Sequence, residues 1–271
     1  MTIRLWLPTS IIVLWGFLAL VSLFLPLHPH AIDLTHILTP PGGVAWLGYD
    51  DLGRPIADRL LTGAHTSFIV SLSVVLLGVS VGGLLGTTSG FLGGWADQIF
   101  VRVVDVLLAF PGLLLAIALA GALGPGIENV IVALAITGWV GYARLARAQV
   151  LSLKQADHVV AAHAIGASNW RIITRHLLPL LTAPLIIEAS FGVASAIIAE
   201  AGLSFLGLGV QPPESSWGSM IRDGTRYMLM APHLVIIPGV TLMLVVLAAN
   251  LLGDWLRDWL DVKNERDRIS S

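Results

Sequence analysis

Three groups of residues in this chain carry enough polar chemistry to act on something. The first is His28, His30, Asp33 and His36. His-x-His with a nearby carboxylate has the donor types of a transition-metal site. The same residues also suit a solvated loop near a membrane surface, since Pro29 stiffens the segment and nothing beside it orients the rings. The second group is Glu188 and Glu200, with Asp105, which stand in strongly apolar surroundings. Carboxylates so placed face a water-filled path or the interior of a helix bundle, where they hydrogen-bond to a neighbour. The separation of Glu188 and Glu200 is not a whole number of helical turns, so the two need not share a face. The third group is Asp157–Pro179, DHVVAAHAIGASNWRIITRHLLP, which concentrates Asp157, His158, His163, Arg171, Arg175 and His176.

That third stretch reads as two short helices. Ala161, Ala162 and Gly166 leave little side chain on the first, so another protein backbone can approach closely. Gly166 suits a left-handed helix stop and Ser168 the cap of the second helix. Trp170, Ile173 and Leu177 recur at helical spacing and predict one apolar face. Pro179 is expected where the chain turns back into an apolar span. The arrangement suits a docking knob, and equally an amphipathic loop lying on a membrane surface.

The elements that must position these residues are apolar. The chain is 56% hydrophobic and 12% charged, with a mean hydropathy of +0.85. A soluble domain carries about 25% charged residues, so this chain belongs in a membrane and in contact with lipid. A net charge of -2 provides no basic field for nucleic acid. There is no Cys, which removes disulfides, thiol nucleophiles and Cys metal sites. Apolar runs predict spans over about Ile11–Leu27, Thr66–Phe91, Val103–Leu123, Asn129–Val150, Leu180–Leu208 and His233–Leu252. Each is near the ~20 residues a helix needs to cross a bilayer. The first has the look of a secretory signal, but no small-x-small cleavage site follows, so it reads as a retained span. Pro111 predicts a kink in the third, and Gly124-Pro125-Gly126 a turn after it.

Gly78, Gly82, Gly86, Gly90 and Gly94 repeat every fourth residue. Such a ridge is a helix-packing face, serving either the internal bundle or a second chain. With the N-terminus inside, Arg4, Arg102, Arg144, Arg147, Lys154, Arg171, Arg175 and the C-terminal cations fall on the cytoplasmic side. Only Arg54, Arg59, Arg222 and Arg226 fall outside. That bias agrees with the positive-inside rule and puts both termini and Asp157–Pro179 in the cytoplasm. A phosphate loop needs Gly-Lys-Ser/Thr. Lys154 and Lys263 follow Leu153 and Val262, so the chain has no such loop. Gly-x-Ser-x-Gly and His-Glu-x-x-His are absent too. A self-sufficient secondary transporter or channel would use Glu188, Glu200 or Asp105 for ion coupling. It would also favour an internal inverted repeat, which the sequence does not display.

Asp157–Pro179 resembles the cytoplasmic coupling loop of ABC importer permeases, which runs Glu-Ala-Ala, then a Gly, then an Ile or Leu shortly before a Pro. Ala161, Ala162, Gly166, Leu177 and Pro179 match it, and Val160 stands at the place of the Glu. LGYDDLGR (47–54), GFLGGWAD (90–97), AFPGLLLAIAL (109–119), GYARLARAQVLSLK (141–154), AEAGLSFLGLGVQPP (199–213), WGSMI (217–221) and NLLGDWLRDWLD (250–261) extend the likeness over nearly the whole chain. Together they resemble the dipeptide/oligopeptide/nickel branch of that family.

The resemblance implies an all-α membrane protein of about six spans with the type I ABC importer permease fold. It divides the chain into an N-terminal helix and periplasmic segment (1–64), a permease domain (65–254) and a cytoplasmic tail (255–271). It implies a bacterial inner-membrane complex with a second similar permease, two ATP-binding cassette subunits and a periplasmic substrate-binding protein. ATP and Mg would bind those partners, and this chain would be no enzyme itself. The ATPase-coupling residues would be Asp157, Ala161, Ala162, His163, Gly166, Ala167, Ser168 and Arg171. The cargo would be di- or oligopeptides, with nickel or a metallophore as the alternative.

Overall fold

A computed structural model describes the backbone of residues 3–43 and 45–269 and the side chains of 6–43 and 45–260. The expected cytoplasmic cations Arg4, Lys263, Arg266 and Arg268 lie outside the described side chains. The helices are α1 (Ile3–Val21), α2 (Ile56–Leu92), α3 (Gly94–Leu108), α4 (Gly112–Leu123), α5 (Ile127–Leu153), α6 (Asp157–Ala164), α7 (Asn169–Phe205), α8 (Trp217–Thr225) and α9 (His233–Ile269). Among the described residues no strand forms, and β-pairing is limited to two isolated bridges in the segment before α2.

Helices α2, α5 and α7, with His233–Leu260 of α9, are each long and apolar enough to cross a membrane. α1 is shorter, with its described apolar part at Trp6–Val21. The expected third span is broken rather than kinked. α3 and α4 meet at 84°, with Pro111 extended at φ -58°, ψ 124° between them. A proline lacks the donor that would continue α3 and forces its predecessor out of helical geometry. The sixth span differs as well, because α9 runs on through Gly253 as one helix.

The fifth span also departs from expectation. Pro179 does not turn the chain, for α7 is continuous from Asn169 to Phe205 over 37 residues. A π turn at Ile173–Leu177 ends two residues before Pro179 and shifts the hydrogen-bond register where the missing N–H would interrupt it. At ~1.5 Å per residue α7 is about 55 Å long, against ~30 Å of hydrocarbon. Its polar first turns therefore project beyond the bilayer core.

Small residues set how closely the bundle packs. A Cβ on Gly82 would collide with the Trp139 carbonyl, one on Gly86 with the Ala143 carbonyl, and one on Gly90 would lie 3.0 Å from the Arg147 carbonyl. Gly78 lies against the Tyr142 ring. Both rows ascend together in steps of four, so α2 and α5 run in the same direction, as the return through α3 and α4 requires. The ridge thus faces α5 within this chain. Gly94 leaves it, with φ +58° and open space around its Cβ position.

Polar networks close the two ends. At one, Asp97 accepts from Arg147 Nε and Nη2 at 2.6 and 2.7 Å and from Ser89 Oγ at 2.6 Å, while Lys154 Nζ donates to the Gly90 carbonyl. At the other, the buried Asp50 carboxylate accepts from the backbone N–H groups of Leu52 and Arg54 and from the Arg54 and Arg59 guanidiniums. Burial, and next the Asp50 charge, push the neighbouring Asp51 carboxyl up. α1 is fixed to α2 by Trp15 Nε1, which donates to the Ala64 carbonyl at 3.2 Å.

Candidate functional site

Local chemistry builds the elbow between α6 and α7. Asp157 occupies the first turn of α6, where a negative charge meets the exposed N–H groups of the helix start. At the other end, Gly166 has φ +82°. Its N–H donates to the His163 carbonyl, and the Ala167 N–H donates to the Ala162 carbonyl. This is the paired 5→2 and 6→1 closure that a left-handed residue permits. Ser168 then caps α7 by accepting from the Arg171 N–H.

The elbow has an inner and an outer face. Val159 and Ala162 are buried with Ile172, Ile173, Leu177 and Leu181. Ala161, His163 and Gly166 are exposed, as are three large apolar side chains: Val160 at 54%, Ile165 at 86% and Trp170 at 65%. Trp170 was expected on the buried face with Ile173 and Leu177. It points outward because the buried face includes Ile172, and at 100° per residue Trp170 lies about 200° round the helix from it. Apolar groups clustered on an exposed polar knob mark a contact surface for protein or membrane.

The inner cluster is continuous with a second feature. It includes Ala146, Val150 and Tyr142 of α5. Tyr142 in turn lines a cleft of about 310 Å³ between α2, α4, α5 and α7, together with Glu188, Phe191, Thr137 and Ser195. The Tyr142 ring sits on Gly78, and its hydroxyl is pressed against Gly192. Glu188 Oε1 lies 3.4 Å from where a Cβ on Gly141 would be. A glycine on each helix therefore makes room for the polar side chain of the other. Sequence reasoning singled out Glu188 and passed over Tyr142, although a phenol in an apolar run needs a partner for its hydroxyl.

Glu200 is not in this cleft. It is 1% exposed, accepting from Ser67 Oγ at 3.0 Å and Ser204 Oγ at 2.7 Å. Twelve steps of 100° set it a third of a turn from Glu188, facing α2. Its surroundings are those of a structural hydrogen-bond acceptor. Glu200→Ala strands two buried hydroxyls and should destabilise the protein by ~1–3 kcal/mol. Glu200→Gln keeps an acceptor and should cost less, as thermal unfolding in detergent would measure.

The three histidines do not converge. His28 offers its backbone N–H to Asp58 Oδ2, and His30 Nε2 is 3.7 Å from Glu214 Oε1. His36 Nδ1 is 2.9 Å from Asp33 Oδ2, and its ring stacks on Tyr49. The Thr35 hydroxyl and then the His36 ring hold the Asp33 carboxyl down at about 2. Among the described residues no group of three or more His, Cys, Asp or Glu side chains is placed to hold a metal. The segment is a loop clasp, with the His28 backbone N–H and the His30 and His36 rings each meeting a different carboxylate.

Comparison with known proteins gives one consistent picture. Residues 78–266 match the model of the family described as binding-protein-dependent transport system inner membrane component. The chain is 45% identical over 231 residues to the glutathione transport system permease protein GsiD of Pectobacterium atrosepticum, covering 85% of this chain and 77% of that one. It is 40% identical over 258 residues to the dipeptide transport system permease protein DppC of Alkalihalophilus pseudofirmus, covering 94% and 84%. Its fold is similar to that of a chain in an inward-facing MetNI methionine ABC transporter, with a TM-score of 0.58 at 18% identity over 75% of this chain and 95% of that one.

Proposed function

The chain belongs to the family of binding-protein-dependent transport inner-membrane components, and we propose that it forms half of the path of an ATP-driven di- or oligopeptide importer. Its relatives are named for glutathione and dipeptide transport, which favours peptides over nickel. The subunit pairs with a second, similar permease. Two ATP-binding cassette subunits, which hold ATP and Mg, dock on its cytoplasmic side, and a periplasmic binding protein delivers cargo to the opposite end. Both termini and the α6–α7 elbow lie in the cytoplasm, with residues 65–254 as the permease domain and 255–271 as its tail.

One observation carries this reading. The buried face of the elbow and the wall of the cleft belong to a single packed cluster, from Val159 and Ala162 through Ile172 and Leu177 to Tyr142. Close-packed side chains transmit displacement because they cannot be compressed. An ATPase that engages Val160, Ile165, Trp170 and the small surface at Ala161 and Gly166 would move α6 and the first turns of α7 together. Asp157, His163, Ala167, Ser168 and Arg171 shape that docking surface. Closure and opening of the ATPases then shift α5 against α7, and the cleft alternates between the two sides of the membrane. The α2 ridge of Gly78, Gly82, Gly86 and Gly90 keeps α2 and α5 moving as one body.

The complete complex reconstituted in liposomes tests this. We expect uptake of labelled dialanine that requires ATP, the binding protein and both permeases. Uptake by this chain alone without ATP would replace the reading with an autonomous transporter.

A further inference from the structure

Glu188 stands near the middle of α7, a helix long and apolar enough to cross a membrane, and an ionised carboxylate is most costly near the centre of such a span. Proteins keep such a charge when a cation pairs with it or when it serves a ligand. Among the described residues nothing is paired with it. No hydrogen bond or ion pair reaches its carboxylate, and no Lys, Arg or His lines its cleft. Tyr142, on the same wall and 5% exposed, has a buried hydroxyl without a partner. Buried polar groups are almost always satisfied, so an orphaned Tyr142 hydroxyl beside a half-buried carboxylate that nothing pairs with marks this wall as a place where a further polar group would be satisfied. The remaining lining is apolar or takes its hydrogen bonds internally, with Thr137 and Ser195 donating to carbonyls of their own helices. Phe191 adds an aromatic face, which attracts cations.

We infer that Glu188, flanked by Tyr142 and Phe191, is the stopping point for the protonated α-amino group of a peptide in transit. This rests on the importer reading above. A primary ammonium brings one positive charge and three donors, and it answers a half-buried lone carboxylate beside an aromatic ring face, with the Tyr142 hydroxyl buried against Gly192 behind them. The site is an intermediate station. The Glu188 side chain is half-buried at the cleft, so an ammonium can reach it and leave again, as conduction requires. Specificity for a free amino terminus would thereby be read inside the membrane, after the binding protein has released the cargo.

The test uses the complete complex in liposomes with its binding protein and dialanine at saturation. Glu188→Gln should slow uptake about tenfold, the size expected for one charge-assisted contact, while binding-protein-stimulated ATP hydrolysis and co-purification of the second permease stay at wild-type levels. Glu188→Asp should restore most of the rate. With pH raised on both sides through the amine pKa of about 8, the wild-type rate should fall faster than that of Glu188→Gln. Equal falls would assign amine recognition wholly to the binding protein and overturn the inference. An unchanged rate in Glu188→Gln would overturn it too. So would loss of the second permease from that variant, which would make Glu188 a structural partner of that subunit. Absence of ATP-dependent uptake in the wild type would reject the importer reading itself, whereas wild-type uptake with an unaffected Glu188→Gln rejects only the station.

Discussion

Gly86→Ala is expected to destabilise the folded protein severely. A methyl group there would enter the space of the Ala143 carbonyl oxygen and also lie 2.8 and 2.9 Å from the Ala143 carbonyl carbon and Cα. All three are backbone atoms of a helix, so no rotamer change relieves the clash. Gly82 and Gly90 fix the same pair of helices one turn to either side, so α2 cannot tilt away without opening those contacts. The overlap costs several kcal/mol, in the ~4–5 kcal/mol range reached only by overpacking and comparable failures. That is a large share of the 5–15 kcal/mol that holds a typical protein together. Gly121→Ala is the control, because a Cβ there meets nothing within 4 Å and removal of a helical glycine should add ~0.5–1 kcal/mol. Monodisperse yield and thermal unfolding in detergent read both variants. A Gly86→Ala protein as stable as the wild type would mean that α2 and α5 are not held at this separation.

Gly166→Asp is expected to disconnect ATP hydrolysis from import while the complex stays assembled. The residue is exposed, and a side chain at this position meets no neighbour within 4 Å, so the core is untouched. Its φ of +82° strains any L-residue by ~1–3 kcal/mol, although Asp and Asn tolerate that region better than most. What changes is the outer surface. A carboxylate would stand among Val160, Ile165 and Trp170, where an incoming subunit must desolvate it without a partner. Uptake should fall about tenfold or more, with ATPase activity retained and no longer responsive to cargo. Gly166→Asn, which carries the same strain without the charge, should retain more uptake. Unchanged transport in Gly166→Asp would remove the docking role from the elbow.

Much of the elbow was legible beforehand because its determinants are local. Gly166 stops α6 since only a residue free to adopt positive φ closes both terminal hydrogen bonds. Ser168 caps α7 since its hydroxyl lies beside the orphan N–H of Arg171. The glycine ridge announced itself by spacing alone. The course of α7 through Pro179 did not, because a proline reads as a break unless the ladder before it has already changed register. The π turn at Ile173–Leu177 makes that change.

Composition, spacing and chain direction by themselves determined that this is a helical membrane protein. They also determined which stretches are apolar, that it has no phosphate loop of its own, and that one polar elbow interrupts the apolar spans. Those properties follow from hydrogen-bond satisfaction within each segment and from transfer of side chains to lipid, neither of which needs a neighbouring helix. Only the tertiary structure decided that the ridge faces α5, that Pro111 bends the third span by 84°, and that the histidines are separately engaged. It alone also parted the two glutamates, one hydrogen-bonded to Ser67 and Ser204 and the other left with Tyr142 at a cleft. Which faces meet depends on contacts between residues far apart in the chain, and on the 100° per residue that carries Glu200 round the helix from Glu188.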